Sequence, residues 1–150
     1  MLEFTAIETN KKELAPMLVR AVDIVQVIER EEEVARKQFK KQVVINMSDG
    51  SYIGVQESFD EVKARISEYN FPSMPFIEFL SLIDDDEPCR TLLRVGCIIS
   101  VSVNDEQTQL EIASIYKHQN ISMFIFTNED YQTIKEKILS VKNARYKKRK

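Results

Sequence analysis

The chain repeats itself. Leu18, Arg20, Ile24 and Val27 recur in register as Leu92, Arg94, Ile98 and Val101. Upstream, Glu3-Phe4 matches Glu78-Phe79, and downstream Phe59-x-x-Val62-Lys63-x-x-Ile66 matches Tyr131-x-x-Ile134-Lys135-x-x-Ile138. Matches at nearly constant spacing in three separated segments indicate two copies of a unit of about 72–75 residues. A unit this small buries too little surface to be secure alone, so the copies are expected to share a core or a continuous sheet. The expected division is residues 1–70, a connector at 71–75 stiffened by Pro72 and Pro75, a second unit at 76–142, and a basic tail at 143–150.

Within each unit the pattern is short strands followed by one helix. Residues 1–8 read as a strand. Met17 to Arg20 reads as another, broken at Ala21-Val22-Asp23, where the second copy has Gly96. Ile24 to Glu29 resumes as a strand. Glu32/Arg36 and Glu33/Lys37 are spaced i,i+4, which fits a helical turn in the segment 31–37, with a solvated loop as the alternative. Val43, Ile45 and Met47 alternate before Asp49-Gly50, the pair that suits a type I′ hairpin turn. In the second copy a looser hairpin is expected from Ile112–Lys117 through His118-Gln119-Asn120 to Ile121–Thr127. Ser58-x-x-Glu61 is a capping box, and Phe59, Val62, Ile66 and Tyr69 form one apolar helical stripe. Asn128 is the expected start of the second helix, with the stripe Tyr131, Ile134, Ile138 and Val141. The fold class is therefore α+β: about four to five antiparallel strands closed by a C-terminal helix, twice over, with the copies packed together.

The segment Ile24-Val25-Gln26-Val27, with Met47-Ser48-Asp49-Gly50 and Val55-Gln56-Glu57-Ser58-Phe59-Asp60-Glu61-Val62, resembles the small flagellar proteins of the FlbD type. The resemblance implies strands, a glycine turn and a closing helix in each unit. It implies no catalytic residues.

Residues that carry chemistry are sparse. His118 is the single histidine and reads as a turn residue with no second imidazole to share a metal. Cys89 and Cys97 have C-x7-C spacing, which matches neither a redox pair nor a zinc knuckle. Cys97 reads as a core residue by alternation, and Cys89 as a loop thiol. Asp84-Asp85-Asp86-Glu87 lacks the glycine and alternation of a calcium loop and reads as a solvated acidic turn, equivalent in position to Lys11-Lys12. Arg20 and Arg94 read either as strand residues paired with a carboxylate such as Glu3 or Glu78, or as a twinned anion site. No phosphate-cradling glycine loop is present in a chain with three glycines.

Charge is uneven. Lys142, Arg145, Lys147, Lys148, Arg149 and Lys150 supply six positive charges, and without them the net −3 becomes −9. An acidic body is not a phosphate-binding surface, so nucleic acid enters only through the tail. No apolar run is long enough to span a bilayer and the start lacks a basic, apolar leader, so a cytoplasmic setting is expected. The functional expectation is a non-enzymatic interaction or adaptor protein of a bacterial or phage-like cell, with a protein partner and no cofactor or metal. The alternatives are a nucleic-acid-associated regulator using the tail, and an enzyme whose carboxylates assemble only in space.

Overall fold

The computed structural model describes residues 1–7, 13–68, 75–83, 87–113 and 123–148, and for 32–34, 83, 87 and 142–148 the backbone alone. Alternation sets the first strands. In β1 (Leu2–Ile7) Leu2, Phe4 and Ala6 face inward. β2 (Leu14–Val19) pairs antiparallel with it, Leu2 opposite Val19. The expected break is a single 3-10 turn at Ala21–Asp23, closed by the Asp23 N–H on the Arg20 carbonyl. β3 (Ile24–Ala35), β4 (Gln38–Met47) and β5 (Tyr52–Val55) follow as a meander, and α1 (Phe59–Glu68) closes the half. The second half runs β6 (Phe76–Ile83), β7 (Glu87–Arg94), a 3-10 turn at Val95–Cys97, β8 (Ile98–Asn104), β9 (Gln107–Ile112), β10 (Met123–Thr127) and α2 (Tyr131–Lys148).

Among the described residues ten strands form one sheet in the order β2-β1-β5-β4-β3-β7-β6-β10-β9-β8. The order within residues 1–68 is thus 2-1-5-4-3, and within residues 76–148 it is 7-6-10-9-8. The halves meet at a seam where β3 pairs antiparallel with β7 through Gln26↔Leu93, Val27↔Leu92 and Ile28↔Thr91. A bulge interrupts β3 between Ile24 and Gln26, and another interrupts β8 between Ile98 and Ser100. The extra residues, Val25 and Ile99, hold matching places in the two halves.

Two cores result. Phe4, Ile24, Val27, Ile45, Phe59 and Val62 belong to the first, and Phe79, Leu93, Leu110, Ile112 and Ile134 to the second. Leu92, though on β7, packs in the first core, while its neighbour Leu93 packs in the second. Successive strand residues face opposite sides, so α1 and α2 cover opposite faces of the sheet.

Several expectations are corrected. Residues 31–35 are strand, not helical turn or loop: β3 runs on to Ala35, and Arg36-Lys37 makes the turn, with Lys37 at φ 63°. The pairing Glu31↔Lys41 puts opposite charges across the ladder, so the mixed charges of this segment serve a hairpin as well as they would serve the i,i+4 pairs of a helix. At Asp49-Gly50 only Gly50 has positive φ, at 89°. Its N–H donates to the Met47 carbonyl at 3.1 Å, so the loop is the three-residue form rather than type I′. The type I′ geometry occurs instead between β8 and β9, at Asp105 (φ 47°) and Glu106 (φ 68°), where no glycine marks it. β9 ends at Ile112, and residues 114–122, His118 included, lie outside the described residues. So do Tyr69, Lys11-Lys12 and Asp84–Asp86. The second helix is capped by Asp130, whose carboxylate accepts the Thr133 N–H at 2.7 Å, and not by Asn128. The Ser58 cap holds, its hydroxyl accepting the Glu61 N–H at 3.2 Å.

Candidate interaction surface at the sheet edges

Among the described residues the sheet is open at both ends. β2 is the outermost strand of one end and β8 of the other. An edge strand presents unpaired backbone donors and acceptors, and these two also present apolar side chains. Leu14, Met17 and Leu18 are exposed on β2, and Ile99 and Val103 on β8. Pro16 interrupts the donor row of β2, a position an edge strand tolerates.

The seam shows how such edges pair. Lys63 of α1 bonds Glu78 of β6 at 3.0 Å, and Arg90 of β7 bonds Asp60 of α1 at 2.8 Å while lying 4.4 Å over the Phe59 ring. Arg90 holds the Asp60 carboxyl below its ordinary range by hydrogen bond and charge together. Arg94 reaches across the seam to donate to the carbonyls of Ala21 and Ile24 and lies over the Phe76 ring. Its Nε is buried without a partner, and burial lowers its pKa against the opposing pull of Cys97 and Asp23.

Arg20, its counterpart in the sequence, does something different. Just past the end of β2 it forms an ion pair with Asp23 at 3.2 Å, in the turn that leads into β3, and its side chain is 65% exposed. The two arginines act on the same turn: Asp23, the ion-pair partner of Arg20, also pulls on Arg94, which donates to the Ala21 and Ile24 carbonyls on either side of it. Lys142, Arg145, Lys147 and Lys148 lie on the last turns of α2, whose backbone continues to Lys148. Arg149 and Lys150 lie outside the described residues.

A second constellation escaped the sequence reading. The Glu57 carboxylate accepts the Thr5 N–H at 2.7 and 2.9 Å, and Arg65 donates both to Glu57 at 3.1 Å and to the Glu3 carbonyl at 2.6 Å. In the other half Glu129 accepts the Leu80 N–H at 2.7 Å, and Lys137 donates to Glu129 at 2.6 Å and to the Glu78 carbonyl at 2.8 Å. Each clamp ties the start of a helix to the neighbour of the strand that leads into it, β1 beside β5 and β6 beside β10. The signal was a glutamate just before each helix with a cation eight residues later, Glu57/Arg65 and Glu129/Lys137. Burial would raise the Glu57 carboxyl, but the Thr5 N–H, its own backbone N–H and Arg65 outweigh it and hold the group below its ordinary value. A carboxylate held this way stays ionised and is a poor general acid.

An open cleft of about 460 Å³ lies beside this clamp, lined by Met1, Glu3, Thr5, Glu57, Arg65 and Glu68 among others. Among the described residues no three His, Cys, Asp or Glu side chains gather as a metal site. Cys97 sits in the second 3-10 turn, half-buried rather than in the core, and burial pushes its thiol up despite Arg94. Cys89 is on β7 opposite Ser81 rather than in a loop. No helix among the described residues is long and apolar enough to cross a membrane.

Comparison with protein-family models, curated proteins and solved structures finds no match. The functional reading therefore stands on the geometry alone.

Proposed function

We propose that this chain is a non-enzymatic interaction protein, a tandem duplication whose working surfaces are the β2 and β8 edges. The observation that carries it is the placement of Leu14, Met17 and Leu18 on one free edge and Ile99 and Val103 on the other, beside unpaired backbone. A partner strand added there gains main-chain hydrogen bonds from the edge and specificity from alternate side chains. Support for the duplication comes from the recurring strand order, the two bulges and the two glutamate clamps. On this reading each half is one copy of a unit similar to the FlbD-type proteins.

The test is affinity capture from the native cell with wild-type protein and with the edge variants Leu18→Asp and Val103→Asp, followed by mass spectrometry. Both positions are exposed, so the fold should survive, which circular dichroism checks. Proteins retained by the wild type and lost from an edge variant support the reading. Identical retention by all three overturns it.

A further inference from the structure

The seam inside the chain and the two open ends are built from corresponding strands. β3 and β8 hold the same place in their halves, as do β2 and β7. The seam joins a β3 to a β7, and what remains unpaired is a β8 and a β2. We propose that the β8 edge of one chain pairs antiparallel with the β2 edge of a second copy, in the register with which β3 meets β7. This inference rests on the edge reading above and names the occupant of the edges as the chain itself.

The register follows residue by residue. Gln26↔Leu93, Val27↔Leu92 and Ile28↔Thr91 at the seam become Ser100↔Val19, Val101↔Leu18 and Ser102↔Met17 between chains. Exposure differs as this pairing requires. Leu92 is 4% exposed at the seam, and its counterpart Leu18 is 60% exposed. Val25 is 4% exposed and its counterpart Ile99 57%, while Phe59 is 1% exposed and its counterpart Tyr131 40%. Positions that are buried at or beside the seam are thus left apolar and uncovered at the ends. Pro16 does not obstruct the contact. It corresponds to Arg90, one residue beyond the paired stretch Thr91–Leu93.

The polar contacts carry over as well. Arg20 is placed to donate to the carbonyls of Val95 and Ile98 of the second copy, as Arg94 donates to those of Ala21 and Ile24. Lys135 and Glu3 stand where Lys63 and Glu78 form their ion pair. The contact joins unlike surfaces, so each added chain exposes a fresh β8 or β2. Such an interface grows into a filament, or into a ring where the rotation per chain closes.

The experiment combines mass and register. Sedimentation of full-length protein from about 1 µM to 1 mM should show mass rising in whole chains as the stronger of the reversible association ranges is crossed. Register is read by disulfide trapping in a Cys89→Ser, Cys97→Ser background. Antiparallel partners have Cα atoms about 4.5–5.5 Å apart, within reach of a disulfide. A mixture of Met17→Cys and Ser102→Cys chains should therefore cross-link under mild oxidation. The shifted mixture of Met17→Cys and Asn104→Cys should cross-link at least tenfold less. A single monomer mass throughout overturns the proposal, and so does association in which the shifted pair cross-links equally. If the chain stays monomeric while Leu18→Asp still abolishes capture of cellular proteins, self-pairing is wrong and the edge reading survives. If Leu18→Asp changes neither mass nor capture, both are wrong.

Discussion

Leu92 and Leu18 hold matching places in the two halves, and the structure assigns them opposite fates. Leu92 lies on β7 opposite Val27 and is buried in the core under α1, whereas Leu18 faces outward on the free β2 edge. Replacing Leu92 with Ala removes buried methyl groups and leaves a cavity against Ile24 and Val27, at a cost of about 2–5 kcal/mol. Replacing Leu18 with Ala deletes surface that is mostly in water already, so the cost should stay within about 0.5 kcal/mol. Urea unfolding of the two variants at low micromolar concentration, with m held constant, gives the difference. At about 2–4 °C per kcal/mol for a chain of this size, the Leu92 variant should melt at least about 4 °C lower. Equal costs, or a Leu92 cost below about 1 kcal/mol, would refute the claim that the seam strand is part of the first core. A second unfolding step appearing only in the Leu92 variant would refute it too.

Three further outcomes are expected. Glu57→Gln should cost about 1–3 kcal/mol by thermal or urea unfolding, since it strips a charge from a buried acceptor of backbone and arginine donors. Glu129→Gln, whose side chain is 23% exposed against 7% for Glu57, should cost less. The lowered Glu57 pKa adds a pH dependence: its stabilisation is complete above the ordinary carboxyl value of 4.5 and is lost as pH falls through the lower folded value. Unfolding free energies at pH 7, 4.5 and 3 should therefore show a shallower acid loss in Glu57→Gln than in wild type. Finally, the edge reading expects no DNA or RNA association at about 50 mM salt, where counterion release most favours it. A salt-sensitive mobility shift that disappears on deleting residues 142–150 would move the function to nucleic acid.

The parts of this fold legible in the sequence were local. Ala21-Val22-Asp23 and Val95-Gly96-Cys97 announced a break between apolar runs, and both became 3-10 turns. Ser58 with Glu61 announced a helix start. The parts that were not legible depend on which distant strands meet. Glu31 to Lys37 satisfied helical and cross-strand charge spacing alike, and only pairing with residues 38–42 decides between them. Asp105-Glu106 took positive φ without glycine because the ladder on both sides holds the turn. The clamps were missed because Glu57 and Glu129 act on β1 and β6, about fifty residues away in sequence. The seam was invisible for the same reason: nothing in Leu92-Leu93 alone says that one leucine serves each core.

That leucine pair also bears on how β7 finds its place. A slide of one residue in either direction still offers each core a leucine from one side. What stops the slide is the residue at each end. Moving the strand one way would carry Arg94 to the site Leu93 fills in the second core, an unpaired charge in an apolar interior. Moving it the other way would carry Thr91 into the first core and part its hydroxyl from that of Ser81. Proofreading of the strand thus falls to its two polar bookends, and the apolar pair between them cannot perform it. A chain with valine at both 91 and 94 would keep its hydrophobic pattern and lose its address.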